Sequence, residues 1–194
     1  MDNKFDTRTV VSIVTGTILL IITNVSVWST PVIGDEWAIR ISAAILVIVA
    51  AISGTITGVL VPVFSGLLTG IVCSRPDAFA QMGLLLVTGA ATGHFADKVG
   101  VKFGRLHGIA ILDFTVIEVC AAVIGWLCLY PLLYAYVYGQ DLRKTIPYGL
   151  REAVISAVIK LLICMPILII MNHFFMKRQM VEDARREYLY HAGK

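Results

Sequence analysis

Charge is scarce in this chain. Only 15% of its 194 residues are Asp, Glu, Lys or Arg, against 58% hydrophobic ones, and the mean hydropathy is +0.83. A soluble domain of this size would lack the polar surface to cover its own core. Cysteine is also sparse. Cys73, Cys120, Cys128 and Cys164 stand apart, form no Cys-x-x-Cys pair and lie in apolar stretches. They read as small packing residues, not as a disulfide frame or a metal site. No HExxH, GxSxG, GxxxxGK[ST] or EF-hand loop occurs, so no catalytic residue can be named from a motif. No length is left for a nucleotide-binding domain, and any ATPase working with this protein must be another chain. Nothing in the pattern calls for a cofactor, a resident metal or a nucleic-acid partner.

What the chain does have is apolar stretches of 17 to 29 residues along its whole length. Each can cross a hydrocarbon layer of about 30 Å at about 1.5 Å per residue. The expected fold is all-α, a polytopic six-helix transmembrane bundle forming one domain over residues 1–194. The expected spans are about 9–28, 37–53, 55–73, 79–95, 108–136 and 149–175, with a short cytoplasmic tail, 176–194, whose segment Met176–Tyr190 reads as a helical extension. The 37-residue apolar run from Trp37 to Cys73 is too long for one span, and Ser53-Gly54-Thr55 divides it into two. Pro62 should bend the third span. With both termini inside, 10 basic residues fall on the inner side and 5 on the outer, with Lys160 inside a span. The positive-inside bias therefore sets the topology as N-in, C-in.

Ionisable groups inside spans are costly and mark function. Glu118 and Lys160 both fall near the midplane of sequential antiparallel spans. They should face each other or a shared polar cavity, either as a structural ion pair or in contact with a polar substrate. His94, His107 and His173 fall at inner span ends near Asp97, where interfacial hydrogen bonding accounts for them. Trp28, Trp37, Trp126, Tyr130, Tyr134, Tyr136, Tyr138 and Tyr148 gather on the outer side. They read as an interfacial belt, or as a wall for a planar ligand in which the rings supply stacking area. Small residues at four-residue spacing are frequent: Ser12/Gly16, Gly54/Gly58, Gly66/Gly70 and Gly89/Gly93. The three glycine pairs read as close packing within the chain, and Ser12/Gly16 as a possible seat for a partner helix.

The order of these features resembles the substrate-binding S component of energy-coupling factor (ECF) transporters, importers of vitamins and micronutrients. The resemblance covers nearly the whole chain. It rests on Thr7-Arg8-Thr9 opening a span that carries Ser12-Ile13-Val14-Thr15-Gly16, where the family has an AxxxA-type motif. It continues in Ala51–Gly58, where many members have a Gly-Pro-x-x-Gly-like junction and Thr55 replaces the proline here. Gly83–Gly93, the loop bases, and Lys160 through Pro166 before a basic end complete it.

The resemblance implies a protein of the bacterial cell membrane that binds a small organic micronutrient near the outer face. It also implies association with a transmembrane coupling subunit and two cytoplasmic ATPases. Carried over, Ser12 and Gly16 would contact the coupling subunit and Thr30–Glu36 would lid the site. Trp126, Tyr130 and Tyr134 would line it, and the Glu118 and Lys160 centre, read from its depth in the spans, is the candidate polar contact with substrate. The start Met1-Asp2-Asn3 lacks the histidines of the metal-transporting relatives and argues against nickel or cobalt as substrate. A membrane sensor or regulatory module is the alternative. An integral membrane enzyme is a further one, requiring His94, Asp97, His107 and His173 to converge.

Overall fold

Six continuous helices follow the apolar stretches in the computed structural model, which describes residues 7–28, 35–72, 74, 77–106, 108–139 and 141–192. They are α1 (Thr7–Trp28), α2 (Asp35–Ser53), α3 (Thr55–Val72) and α4 (Asp77–Val99). Helix α5 runs from Ile109–Val123 through a π-helical segment, Ile124–Leu129, into Tyr130–Tyr138. Helix α6 runs from Leu142–Ile159 through a π-helical segment, Lys160–Cys164, into Met165–Ala192. Residues 176–192 of the tail thus continue the last helix. Among the described residues four stretches are long and apolar enough to cross a membrane: Thr7–Val25, Thr55–Val72, Ile109–Tyr136 and Thr145–Val181. Ile39–Ser53 is a shorter apolar helix. By length and composition the chain is a membrane protein.

Helix α4 is less apolar because of where it sits. It packs against α2, α3 and α5, so its polar side chains Gln81, Thr88 and Thr92 are buried in protein. Its seam with α3 is built from glycine. A Cβ on Gly58 would strike the Gly89 carbonyl oxygen, and one on Gly89 would strike that of Gly58. A Cβ on Gly93 would meet the Thr55 backbone, and one on Gly66 the Met82 side chain. The two backbones touch, which in lipid supplies the van der Waals contact that hydrophobic burial cannot.

The break between α2 and α3 is the single residue Gly54, at φ 86°. Asp97 of α4 closes it. Its Oδ2 accepts from the Thr55 amide and from the Thr55 hydroxyl, both at 2.8 Å. A carboxylate at the first turn of α3 also suits the helix dipole. Asp97→Ala is expected to lower stability by about 1 kcal/mol, and Asp97→Asn by less. Thermal melts of the purified variants check this.

Both π-helical segments stand just ahead of a proline, Pro131 and Pro166. Each proline lacks the amide that would bond the carbonyl four residues back, at Leu127 and Leu162, and a wider turn relieves the ring's crowding there. At the Gly54 end, Phe95 and Phe114 pack at 5.5 Å within a cluster that includes Val47, Leu106 and Leu168. Asn172 clasps the 100–106 loop, accepting from the Leu106 amide and donating to the Leu106 carbonyl, both at 2.9 Å. At the opposite end Gly139 terminates α5 in the left-handed conformation, and Asp141 caps α6 by accepting from the Arg143 amide at 3.0 Å.

Candidate functional site

Helix α6 presents a buried row at four-residue spacing: Glu152, Ser156, Lys160, Cys164, Leu168 and Asn172. Four residues overshoot an α-helical turn by about 40°, so such a row drifts around a regular helix. The π-helical segment at Lys160–Cys164 holds an extra residue per turn and keeps the row on one face. This row carries two separate charge centres, eight residues or about 12 Å apart along the helix.

The deeper centre is the expected meeting of Glu118 and Lys160. Lys160 Nζ lies 3.3 Å from Glu118 Oε2, and both side chains are buried. Lys160 also donates to Thr88 Oγ1 at 3.2 Å. The Thr92 hydroxyl reaches Glu118 Oε1 and, at 2.8 Å, the Thr88 carbonyl oxygen, so one proton serves two acceptors. Glu118 Oε2 has the ion pair but no hydrogen bond. Three helices, α4, α5 and α6, are therefore tied at one depth by a carboxylate, an ammonium and two hydroxyls.

The second centre lies toward the Gly139 end and was not anticipated. Arg40 of α2 embraces Glu152 of α6, with Nη2 at 2.7 Å from Oε2 and 2.8 Å from Oε1, and Nε at 3.0 Å from Oε2. Glu152 is wholly buried and Arg40 almost so. A fork of this kind is the arrangement in which buried opposite charges satisfy each other best. Arg151 adds longer bonds to Glu152 Oε1, 3.1 Å from Nη2 and 3.2 Å from Nε, while its side chain is 57% exposed.

Beside it stand the aromatics. Trp126, 1% exposed, packs on Tyr130 at 4.9 Å and on Tyr148 at 6.4 Å. Tyr130 and Tyr134 stack at 5.5 Å with 18° between their planes. Arg151 leans over the Tyr148 ring at 5.4 Å. Ile39 and Ala153, neighbours in sequence of Arg40 and Glu152, belong to the same buried cluster as Trp126. Trp126, Tyr130 and Tyr134 thus lie in one ring cluster, with Trp126 buried within it. The cluster begins at Trp126, about 12 Å along α5 from Glu118, and lies beside Arg40, Arg151 and Glu152 instead.

The remaining expectations fall as follows. Gly16 turns into the chain, where a Cβ would meet Val61 Cγ2 at 3.0 Å and Val49 Cγ1 at 3.1 Å, and Ser12 is half-buried. Gly16 therefore serves contact with α2 and α3, and Val11, Val14 and Ile18 lie on the exposed side of α1. The paired glycines of α3 and α4 pack within the chain, as expected. Asp97 is engaged at the α3 terminus, and among the described residues no three His, Cys, Asp or Glu converge as metal ligands. Residues 30–34 of the expected lid, Cys73 and His107 lie outside the described residues, as do the side chains of Trp28, Trp37 and Tyr138.

No protein-family model, curated protein or solved structure matches the chain.

Proposed function

We propose that this protein is a solute-binding membrane subunit of the ECF S-component type, a six-span bundle with both termini in the cytoplasm of a bacterial cell. In this reading the Gly139 end faces outward and receives a small organic micronutrient. The observation that carries the proposal is the junction of a ring cluster with a buried charge column. Tyr130, Tyr134, Tyr148 and Arg151 stand at the rim, and Arg40, Glu152, Lys160 and Glu118 continue inward. Four buried charges are costly inside a membrane bundle, and such groups mark a pathway or a binding site by default. Aromatic walls with a few convergent polar groups are the usual form of a small-molecule site.

The proposed division of labour follows the geometry. The rim rings stack the solute, and the Arg40–Glu152 fork fixes α2 against α6 beneath it. The Glu118–Lys160 centre locks α4, α5 and α6 further down. Transport would need a coupling subunit and two ATPases on the cytoplasmic side. Because Gly16 is turned inward, the coupling subunit would meet α1 through Val11, Val14 and Ile18. Mass spectrometry of small molecules extracted from the purified protein tests the site. An organic solute retained by the native chain and lost in Tyr134→Ala, with the fold intact, is the expected result. Equal recovery from both chains, or none from either, would remove the basis for a solute site.

A further inference from the structure

At the Gly54 end the outer surface changes character at one level on two neighbouring elements. On α5, Ile109 and Leu112 are largely exposed, and Arg105, exposed too, stands just before them. On α6, Ile170 and Phe174 are largely exposed, and exposed Lys177 follows. The two boundaries lie side by side. A Cβ on Gly104 would strike the Met176 backbone nitrogen at 2.8 Å, so Arg105 and Lys177 flank one backbone contact. Asn172 fixes the loop there through the Leu106 amide and carbonyl. Exposed Lys98 ends α4 two residues before Gly100, where a Cβ would meet Arg105 Cδ at 3.5 Å. Among the described residues Lys98, Arg105 and Lys177 make no ion pair. Arg105 lies over the Phe103 ring at 6.0 Å, a contact that supplies no acceptor oxygen. Of the acids at this end, Asp97 is engaged at Thr55, and Asp113 lies one turn beyond Ile109, on the apolar side of the boundary.

Exposed apolar side chains followed by cations are the order that hydrocarbon and headgroups impose. Basic clusters at that boundary recognise anionic lipids, and a guanidinium suits a phosphate. We infer that Lys98, Arg105 and Lys177 form a headgroup site for an anionic phospholipid, with the phosphate on Arg105 and the acyl chains along Ile109, Leu112 and Phe174. A soluble phosphate ester shares the headgroup chemistry but has no chains to lay on those side chains. The inference needs only that the chain is a membrane protein, so it stands or falls apart from the solute site.

The test is native mass spectrometry of the full chain released from detergent micelles, titrated with phosphatidylglycerol and with phosphatidylcholine of the same acyl chains. The first phosphatidylglycerol is expected to bind at least about tenfold tighter than the first phosphatidylcholine. Arg105→Gln should weaken phosphatidylglycerol binding about fivefold. Arg105→Lys should weaken it less, because it keeps the charge and loses the fork. Arg143→Gln removes an exposed cation at the opposite end and should leave binding within about twofold. The loop is held through the backbone of Gly104 and Leu106, so the exposed Arg105 can be changed without unfolding it. Equal affinity for the two lipids would overturn the inference. So would a preference that survives Arg105→Gln, or one lost equally in Arg143→Gln. Displacement of the lipid by an equimolar amount of glycerol phosphate would assign the site to a soluble ester and likewise overturn it.

Discussion

Replacing Lys160 with methionine is expected to destabilise the protein more than any other conservative change at a charged position. Methionine keeps most of the apolar stem and its packing but removes the ammonium. Among the described residues Lys160 supplies its one countercharge, so Glu118 would then sit wholly buried with the Thr92 hydroxyl. Breaking a buried pair from one side costs about 3–5 kcal/mol because an uncompensated charge remains. Removing both charges together leaves none, so Glu118→Gln with Lys160→Met should recover most of the loss. Denaturant-induced unfolding of the single and double variants in detergent makes the comparison. A single variant as stable as the native chain, or a double variant no better than the single, would contradict the pairing.

Gly58→Val is expected to be more severe still and to yield no folded protein. Its Cβ points at the Gly89 carbonyl, and backbone cannot move aside as a flexible side chain can. The seam joins α3 to α4, and α4 carries Thr88 and Thr92 into the deeper charge centre. Displacing it therefore disturbs the site as well as the bundle. Gly16→Ala is the control. Its methyl would first meet the Val61 and Val49 methyl groups at 3.0 and 3.1 Å, which can shift by a few tenths of an ångström. Size-exclusion profiles after solubilisation should be monodisperse for Gly16→Ala and aggregated for Gly58→Val. A monodisperse Gly58→Val would mean that the helices are not in backbone contact.

These two sites differ in how far the sequence alone could reveal them. Gly54 stood out because a lone Ser-Gly-Thr interrupts an aliphatic run of twice the needed length. Glu118 and Lys160 could be matched because each lies a countable number of helical steps from an interface. Arg40 and Glu152 could not be matched that way. They are 112 residues apart, and each sits near a span end, where a charge needs no partner. One signal was available: Glu152, Ser156 and Lys160 share a face at four-residue spacing, so the rim and the midplane belong to one row. The inward turn of Gly16 was not available, because spacing puts Ser12 and Gly16 on one face without saying which neighbour covers it. Nor was the low hydropathy of α4 interpretable before its central position was known.

The proposed function makes this bundle one part of a transport assembly. Affinity purification of the tagged protein from its native membranes, with mass spectrometry of the co-purifying proteins, tests it most directly. Recovery of a multi-span coupling subunit together with two cytoplasmic ATPases is the expected result. Recovery of the intact protein without any ATPase, under solubilisation that preserves known ECF complexes, would contradict the claim.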